Sequence, residues 1–442
     1  MLNRFRAFFS RQDLHTRELI SGASVAFIVK ALAAGVAFAL NVVIARMLGP
    51  KGAGVYFLAV TLVTIASTLG RAGMDNTLVR FVAAGAAEAD WGKVKGVYCT
   101  AIITALGASG ALTLGVFVSA PWIAAQLFSD ADLAGPLRWM SLGIVPVSLF
   151  TLHSSALKGL KRIAESMFVL SILAPFLALL GAVLLVRFMG INGAVWSYVA
   201  GAIVTMVVGE WRWHICAPQL RELKWRFASR DLFSSSMPLF WASVFQLVMS
   251  WSSTIFLGVF ASTEQVGIYN AANRTSLLTN FVLIAVNSIA APKIAALYWQ
   301  GELEMLGRLV RNSTKIMTAI AFVPLMIFVF APKVVMGIFG PQFIKGAAVL
   351  TILGLGQFIN VATGSVGFLL TMTGHERIWR NIFGFSATLN VVLNILLIPR
   401  LGIYGAAIAT AISLSLQMLI AVVLVRWKMG ILTLPIPVKY FS

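Results

Sequence analysis

Acidic side chains are scarce in this sequence, and their scarcity limits the mechanisms open to it. Only 15 of the 442 residues are Asp or Glu, whereas 34 are Lys or Arg. All the acidic residues fall in predicted loops or at the ends of apolar runs, so no carboxylate lies inside a predicted hydrocarbon core. Proton and cation relays through membranes usually need a buried Asp or Glu. We therefore do not expect carboxylate-based coupling, unless Asp75, at the end of an apolar run, is drawn inward.

Cysteine is also rare, and the histidines are scattered. Cys99 and Cys216 are the only two cysteines and lie near predicted membrane boundaries, which argues against a disulfide framework or a metal site. The four histidines have no carboxylate or cysteine partners at the spacing of metal ligands or catalytic groups. The sequence therefore predicts a protein that is not an enzyme and that has no metal ion or cofactor.

Charge of either sign is too infrequent for a water-soluble protein. Charged residues make up 11% of the chain and hydrophobic residues 59%, and the mean hydropathy is +0.91. Twelve apolar runs are long enough to cross a hydrocarbon layer of ~30 Å. Spans one, two and eight, for example, are predicted at residues 21–45, 56–70 and 267–291. The expected fold is an all-α integral membrane protein with about twelve transmembrane helices.

The distribution of Lys and Arg predicts the orientation of these spans. With the N-terminus in the cytoplasm, the cytoplasmic segments hold 25 basic residues and the opposite loops hold 7, which is the bias that cytoplasmic loops show. Both termini are therefore predicted to be cytoplasmic. The same bias accounts for the net charge of +19 without a nucleic-acid partner, because basic loops face anionic lipid.

An internal repeat divides the chain into two halves. Gly54-Val55-Tyr56 matches Gly267-Ile268-Tyr269 with an offset of 213 residues, and the segment at 190–194 matches the segment at 402–406 with an offset of 212. Each half contains six spans, so the repeat is parallel, with a pseudo-two-fold axis along the membrane normal. The predicted domains are two six-helix bundles around a central cavity, at residues 21–209 and 237–442.

Two basic segments with interspersed aromatic residues lie outside the bundles. Residues 1–20 lack the cleavage pattern of a signal peptide and are predicted to form a cytoplasmic amphipathic segment on the membrane surface. Residues 210–236 are predicted to be a basic cytoplasmic linker between the bundles.

Lys30 is the first candidate for substrate binding. It lies nine residues into span one, about 13 Å deep, where an unpaired charge is costly. Asn41 follows three turns later on nearly the same face, and the repeat places Ser243 and Thr254 at the equivalent positions of span seven. The alternative is that Lys30 extends to the cytoplasmic headgroups.

Span eight provides the second candidate surface. Asn273, Asn280 and Asn287 recur every seven residues, and Asn270 and Arg274 lie near the same face. These amides could instead hold helices together, and Arg274 could lie near the outer interface. Lys30 and Arg274 without a buried acid describe a cavity that favours an anion, such as a lipid phosphate.

Three segments carry a resemblance to a known family. They are ARMLGPKGAGVYFLA at 45–59, GMDNTLVRF at 73–81 and NVVLNILLIPRLGIYGAAIATAIS at 390–413. The chain resembles the polysaccharide transport family of the multidrug, oligosaccharidyl-lipid and polysaccharide exporter superfamily. The resemblance implies two bundles around a V-shaped cavity and alternating access. It also implies a flippase that moves an undecaprenyl-pyrophosphate-linked oligosaccharide across the bacterial inner membrane.

The resemblance also implies partners and leaves an alternative open. The expected partners are the lipid-linked oligosaccharide, membrane lipids and glycan polymerisation machinery. Cationic cavity residues recur in the family, although no motif fixes Lys30 and Arg274 residue by residue. Twelve spans rather than fourteen make the chain less like the lipid II flippase branch, and the lack of buried acids makes it less like cation-coupled multidrug antiporters. Such an antiporter is the alternative function.

Overall fold

The computed structural model describes residues 14–220 and 230–435, and within these ranges it contains helices and no β-strand. The α-helices of the first half are α1 (Leu14–Gly70), α2 (Met74–Ala87), α3 (Trp91–Trp122), α4 (Ala134–Met140), α5 (Ile144–Gly159), α6 (Ile163–Met167), α7 (Ala174–Met189) and α8 (Ile191–Cys216). Those of the second half are α9 (Arg230–Phe260), α10 (Thr263–Ser276), α11 (Phe281–Trp299), α12 (Leu303–Phe330), α13 (Pro332–Gly337), α14 (Ala347–Ala362), α15 (Val366–Met372), α16 (Glu376–Leu401) and α17 (Ile403–Met429).

Ten helices in the described ranges are long and apolar enough to cross a membrane. The ten helices differ from the predicted twelve spans at two places. Predicted spans one and two run together as α1, which bends at Gly49 (φ 67, ψ 179), a conformation that glycine tolerates, and continues from Pro50. Predicted span eight corresponds to α10, the 3₁₀ turn at Leu277–Asn280 and α11, and it is not one of the ten.

The internal repeat is visible in matching backbone geometry at two hairpins. Gly190, between α7 and α8, has φ 55 and ψ −134, and Gly402, between α16 and α17, has φ 54 and ψ −129. Three residues later, a Cβ on Gly193 would lie 2.5 Å from a backbone oxygen of α7, and a Cβ on Gly405 would lie 2.4 Å from one of α16. Both hairpins are therefore equally tight, and only glycine fits at these closest positions.

The two halves meet most closely at another repeat-related pair. A Cβ on Gly54 would lie 1.7 Å from the Thr263 carbonyl oxygen, and a Cβ on Gly267 would lie 2.1 Å from the Pro50 carbonyl oxygen. Each of these virtual Cβ atoms also lies 3.0 Å from the backbone nitrogen of the other glycine. Helices α1 and α10 thus cross at these two equivalent glycines, where their backbones are in direct contact. We call this side of the molecule the Gly54 end and the opposite side, which carries Gly73, the Gly73 end.

Side-chain contacts add to the closure at the Gly54 end. The Arg46 Nε donates a hydrogen bond to the Ile338 carbonyl oxygen at 2.6 Å. The Thr263 hydroxyl donates to an Asp130 carboxylate oxygen at 2.7 Å, again between the halves. The Phe38 and Phe339 rings meet edge to face, with their centroids 5.6 Å apart. The Gly54 end is therefore held by polar, aromatic and backbone contacts together.

The buried apolar side chains of the described residues are arranged differently at the Gly54 end and at the Gly73 end. Toward the Gly54 end, side chains of both halves form one continuous cluster that includes Phe57 and Phe339. Toward the Gly73 end, each half has a separate cluster, one around Trp213 and one around Leu306. Apolar burial thus joins the halves at one end and leaves them as separate bodies at the other. Gly73 is an exception, because a Cβ there would lie 2.5 Å from the Ser236 carbonyl oxygen of α9.

The two basic segments predicted outside the bundles lie partly outside the described residues. The described residues do not include residues 1–13 of the predicted amphipathic N-terminus or residues 221–229 of the predicted linker. Helix α8 continues to Cys216 and α9 begins at Arg230, so helices extend into the predicted linker from both sides.

Candidate functional site

A cavity of about 230 Å³ lies within the first half, and we call it the basic cavity. It is lined by Ala37, Leu40, Asn41, Tyr56, Phe57, Val60, Val147, Phe150, Leu170, Ala174, Pro175, Ala178, Tyr198, Ala202 and Arg274. Every one of these residues belongs to the first half except Arg274, which α10 contributes from the second half. Among the described residues that line the cavity, Arg274 is also the only charged one. The charge of this cavity is therefore supplied across the contact between the halves.

The Arg274 guanidinium is held by aromatic rings. Its carbon atom lies 5.2 Å from the centroid of the Phe57 ring and 6.0 Å from that of the Trp251 ring. The Nε atom is buried and has no hydrogen-bond partner. Arg274 takes part in none of the ion pairs found among the described residues. Cation–π contacts therefore orient the guanidinium, and its positive charge is left without a counter-ion.

A second cavity of about 300 Å³ lies within the second half, and we call it the amide cavity. It is lined by Gln246, Met249, Ser250, Ser253, Tyr269, Asn273, Leu277, Asn280, Gln357, Asn360, Trp379, Phe383, Asn390, Thr410, Leu414, Gln417 and Met418. None of these described lining residues carries a formal charge, and seven of them are Asn or Gln. Adjacent residues of α10 line different cavities, Asn273 the amide cavity and Arg274 the basic cavity.

The internal repeat relates the two cavities. Lining residues of the basic cavity correspond, at offsets of 213 or 212, to lining residues of the amide cavity. These pairs are Ala37 and Ser250, Leu40 and Ser253, Tyr56 and Tyr269, Val60 and Asn273, Ala178 and Asn390, Tyr198 and Thr410, and Ala202 and Leu414. Each half therefore holds its own version of the same cavity, and at four of these seven pairs an apolar residue of the first half corresponds to a polar residue of the second.

The predicted site residues are divided among several environments. Asn41 and Arg274 line the basic cavity, and Asn273 and Asn280 line the amide cavity. Arg274 thus reaches from α10 into a cavity of the first half. Lys30 is exposed, seven residues before Ala37 on the same helical face, about 10 Å along the axis toward the Gly73 end.

The other predicted site residues line neither cavity. The Ser243 hydroxyl donates to the Leu239 carbonyl oxygen at 3.0 Å, and the Asn270 side chain donates to the Val266 carbonyl oxygen at 2.9 Å, each within its own helix. Thr254 is buried. Asn287 accepts a hydrogen bond from Ser365, beside a third cavity of about 310 Å³. Asn287 thus fits the alternative reading, in which these amides hold helices together.

Asp75 forms a local ion pair. Its carboxylate lies 2.8 Å from the Arg71 Nε, and Arg71 also donates to the Thr68 hydroxyl at 3.0 Å. Asp75 stands in the first turn of α2, at the Gly73 end. Its charge is therefore already compensated beside its own helix, and it lines neither cavity.

Comparisons with known proteins agree on the fold. Residues 19–298 match the family described as "Polysaccharide biosynthesis protein". A "probable low-salt glycan biosynthesis flippase" of Haloferax volcanii is 26% identical over 393 residues, which are 88% of this chain and 80% of the relative.

Two solved membrane transporters share the architecture. A multidrug resistance transporter of the MATE family in its inward-facing conformation superimposes with a TM-score of 0.74 at 16% identity, covering 94% of this chain and 99% of that one. The lipid II flippase MurJ in an inward closed conformation gives 0.73 at 14% identity, covering 90% and 87%. The all-α transporter fold expected from the sequence is thereby confirmed.

Proposed function

Since the chain belongs to the polysaccharide biosynthesis protein family, we propose that it moves a lipid-linked oligosaccharide across a membrane and holds the phosphate of that lipid at Arg274. The observation that carries this proposal is the uncompensated guanidinium of the basic cavity. The Haloferax volcanii relative is archaeal, so we specify the carrier by its chemistry alone, as a polyprenyl phosphate or pyrophosphate.

The energetics of Arg274 favour an anionic ligand. Removing an ion from water costs several kcal/mol even after the protein relaxes, and contacts with aromatic rings return only about 2 kcal/mol when they are desolvated. The remaining cost is offset when a phosphate accepts hydrogen bonds from the guanidinium, because such bonds are charge-assisted and often bidentate. A cationic ligand would instead be repelled.

The size of the basic cavity limits what it can hold. Sites that bury a drug-sized molecule have volumes of about 300–1,000 Å³, and the basic cavity has about 230 Å³. It suits a phosphate or pyrophosphate group rather than a whole oligosaccharide. We place the phosphate there, with Lys30 near the route between the cavity and the Gly73 end, and with that end facing the cytoplasm as the basic loops predict.

Binding and transport measurements test this proposal. The wild-type protein in nanodiscs is expected to bind undecaprenyl pyrophosphate more tightly than undecaprenol, and Arg274→Gln is expected to abolish the difference. Arg187→Gln is the matched control, because Arg187 is an exposed arginine of α7 that does not line the basic cavity. In proteoliposomes, Arg274→Gln is expected to stop the transfer of a fluorescent pyrophosphate-linked disaccharide between leaflets.

The alternative, a cation-coupled antiporter, predicts the opposite result. Such a protein would lower the uptake of cationic dyes into cells, and Arg274→Gln would leave that activity intact or increase it. Equal affinity for undecaprenyl pyrophosphate and undecaprenol in the wild-type protein would contradict the phosphate assignment.

A further inference from the structure

We infer that the amide cavity is a binding site for an uncharged sugar. It is a separate site from the basic cavity, and the inference rests on the proposed function only for the source of the sugar, which is the glycan of the lipid-linked substrate. The chemistry of the lining, described below, identifies the ligand class.

The amide side chains of this cavity match the hydrogen-bonding pattern of sugar hydroxyls. An Asn or Gln amide has both donors and acceptors, and a hydroxyl is likewise a donor and an acceptor. A phosphate needs donors alone, and a metal cation needs acceptors alone. Because none of the described residues that line the cavity is formally charged, they provide no fixed charge with which to attract an ion. A neutral ligand with many hydroxyl groups is therefore the best match.

Part of this polar lining is already used to join helices. The Asn390 carboxamide oxygen accepts hydrogen bonds from Ser252 at 2.5 Å and from Asn394 at 2.9 Å. The Asn360 amide donates to the Asn280 side-chain oxygen at 3.1 Å. Gln246 also donates to the Ser250 hydroxyl at 3.2 Å, and Asn360 donates to the Gln357 side-chain oxygen at 3.5 Å. Five of the seven amides therefore have a side-chain partner in the protein, and Gln417 is not one of the five.

Gln417 of α17 is the residue that helix packing does not explain. Only 2% of it is exposed, it lines the amide cavity, and its side-chain oxygen has no hydrogen-bond partner. A buried acceptor without a partner is destabilising, and a ligand hydroxyl would remove that cost by donating to this oxygen.

Aromatic rings and an irregular helix complete the site. Trp379 and Phe383 of α16 line one side of the cavity, with ring centroids 6.2 Å apart. Aromatic faces pack well against the C–H faces of sugar rings. On another side, Leu277 and Asn280 belong to the 3₁₀ turn between α10 and α11, where a regular helix is interrupted, as is common at functional positions. The volume of about 300 Å³ is at the lower limit for small-ligand sites, which suits one or two sugar rings.

The experiment compares lipids with and without a sugar. The probes are undecaprenyl pyrophosphate alone, the same lipid carrying one glucose or one N-acetylglucosamine, and free oligosaccharides of these sugars, each titrated against the protein in nanodiscs. At least one sugar is expected to strengthen lipid binding. Gln417→Leu and Trp379→Ala are each expected to remove that gain, by about 5- to 50-fold, while leaving the affinity for the bare lipid unchanged.

Asn270→Ala is the matched control, because Asn270 is a buried amide of α10 that lines neither cavity, and the gain from the sugar should persist in this variant. The inference is overturned if no sugar in the panel strengthens binding, or if Gln417→Leu and Trp379→Ala both keep the gain. It is also overturned if the Gln417→Leu substitution abolishes the binding of sodium ions and leaves the binding of sugars unchanged. Sugar binding without any affinity for the bare pyrophosphate lipid would instead contradict the proposed function and leave this site intact.

Discussion

The two halves of this protein have similar backbone geometry and differ in the side chains that line their cavities. The hairpins at Gly190 and Gly402 agree within 5° in both dihedral angles, and repeat-related residues line both cavities. Yet the second half puts Asn273 where the first half has Val60, and its own cavity carries no charge. Helix packing depends on glycines and small residues that both halves keep, whereas the ligand depends on a few side chains that can differ freely.

The largest effect is expected where the halves cross. Gly54→Val would place a Cβ 1.7 Å from the Thr263 carbonyl oxygen, and because backbone cannot move aside easily, the cost should exceed the ~1–3 kcal/mol of ordinary overpacking. We expect loss of transport and a lower apparent Tm in detergent. Gly115→Val is the control, because nothing lies within 4 Å of a Cβ there. Full activity of the Gly54 variant would show that the halves do not need this contact.

The next largest effect is expected at Arg274, where one substitution should weaken the binding of the pyrophosphate lipid and increase the stability of the empty protein. Arg274→Met removes an uncompensated charge while keeping much of the apolar side chain. Replacing a buried ion pair by apolar residues often stabilises a protein by about 1–4 kcal/mol, and we expect a gain of that order in the free energy of unfolding of the empty variant. Undecaprenyl pyrophosphate should raise the Tm of the wild-type protein and not of the variant. A loss of stability in the empty variant would mean that Arg274 has a structural partner.

A smaller effect is expected at Lys30, which is exposed and lies about 10 Å from the basic cavity along α1. A charge at that distance accelerates the approach of an anion more than it strengthens the final complex. Lys30→Ala should therefore slow association with the pyrophosphate lipid by about 2- to 10-fold at low salt. The difference should disappear near 1 M salt, where the screening length is about 3 Å. A salt-independent loss would place Lys30 in direct contact with the ligand.

The smallest effect is expected at an exposed ion pair of the Gly54 end. Lys51 and Asp132 lie 2.6 Å apart, and their side chains are 63% and 68% exposed. Exposed pairs contribute little because water and salt screen them, so Asp132→Ala should leave transport and Tm unchanged within error. A clear decrease would show that this exposed pair stabilises the contact between α1 and the 3₁₀ turn at Ala131–Leu133 within the first half.

The sequence predicts the fold well because its signals are local or periodic. Apolar runs mark the spans, and the offset of 213 residues between Gly54 and Gly267 reveals the repeat. The prediction of one polar face on span eight assumes one straight helix, and Asn287 lies beside a different cavity from Asn273 and Asn280. The 3₁₀ turn at Leu277–Asn280 has about three residues per turn instead of 3.6, which shifts the helical phase and turns Asn287 toward Ser365.

The site is less predictable because its residues come from different helices. Gln357, Trp379 and Gln417 lie on three different helices, α14, α16 and α17, so no spacing pattern connects them before the helices pack. Single amides in membrane spans are the one available signal, and it does not distinguish a ligand site from interhelical hydrogen bonds. Arg274 was identifiable as a costly charge, but its position in the cavity of the other half depends on the close crossing of α1 and α10.

That position has a thermodynamic consequence. The basic cavity belongs to the first half and its cation to the second, so a phosphate bound there contacts both. Any rearrangement that moves α10 away from α1 at the Gly54 end would withdraw the guanidinium and weaken the hold on the phosphate. By linkage, a ligand favours whichever arrangement binds it more tightly. An anion in this cavity therefore stabilises the closed arrangement of the Gly54 end. Opening that end exposes the cavity and at the same time lowers its affinity for the phosphate.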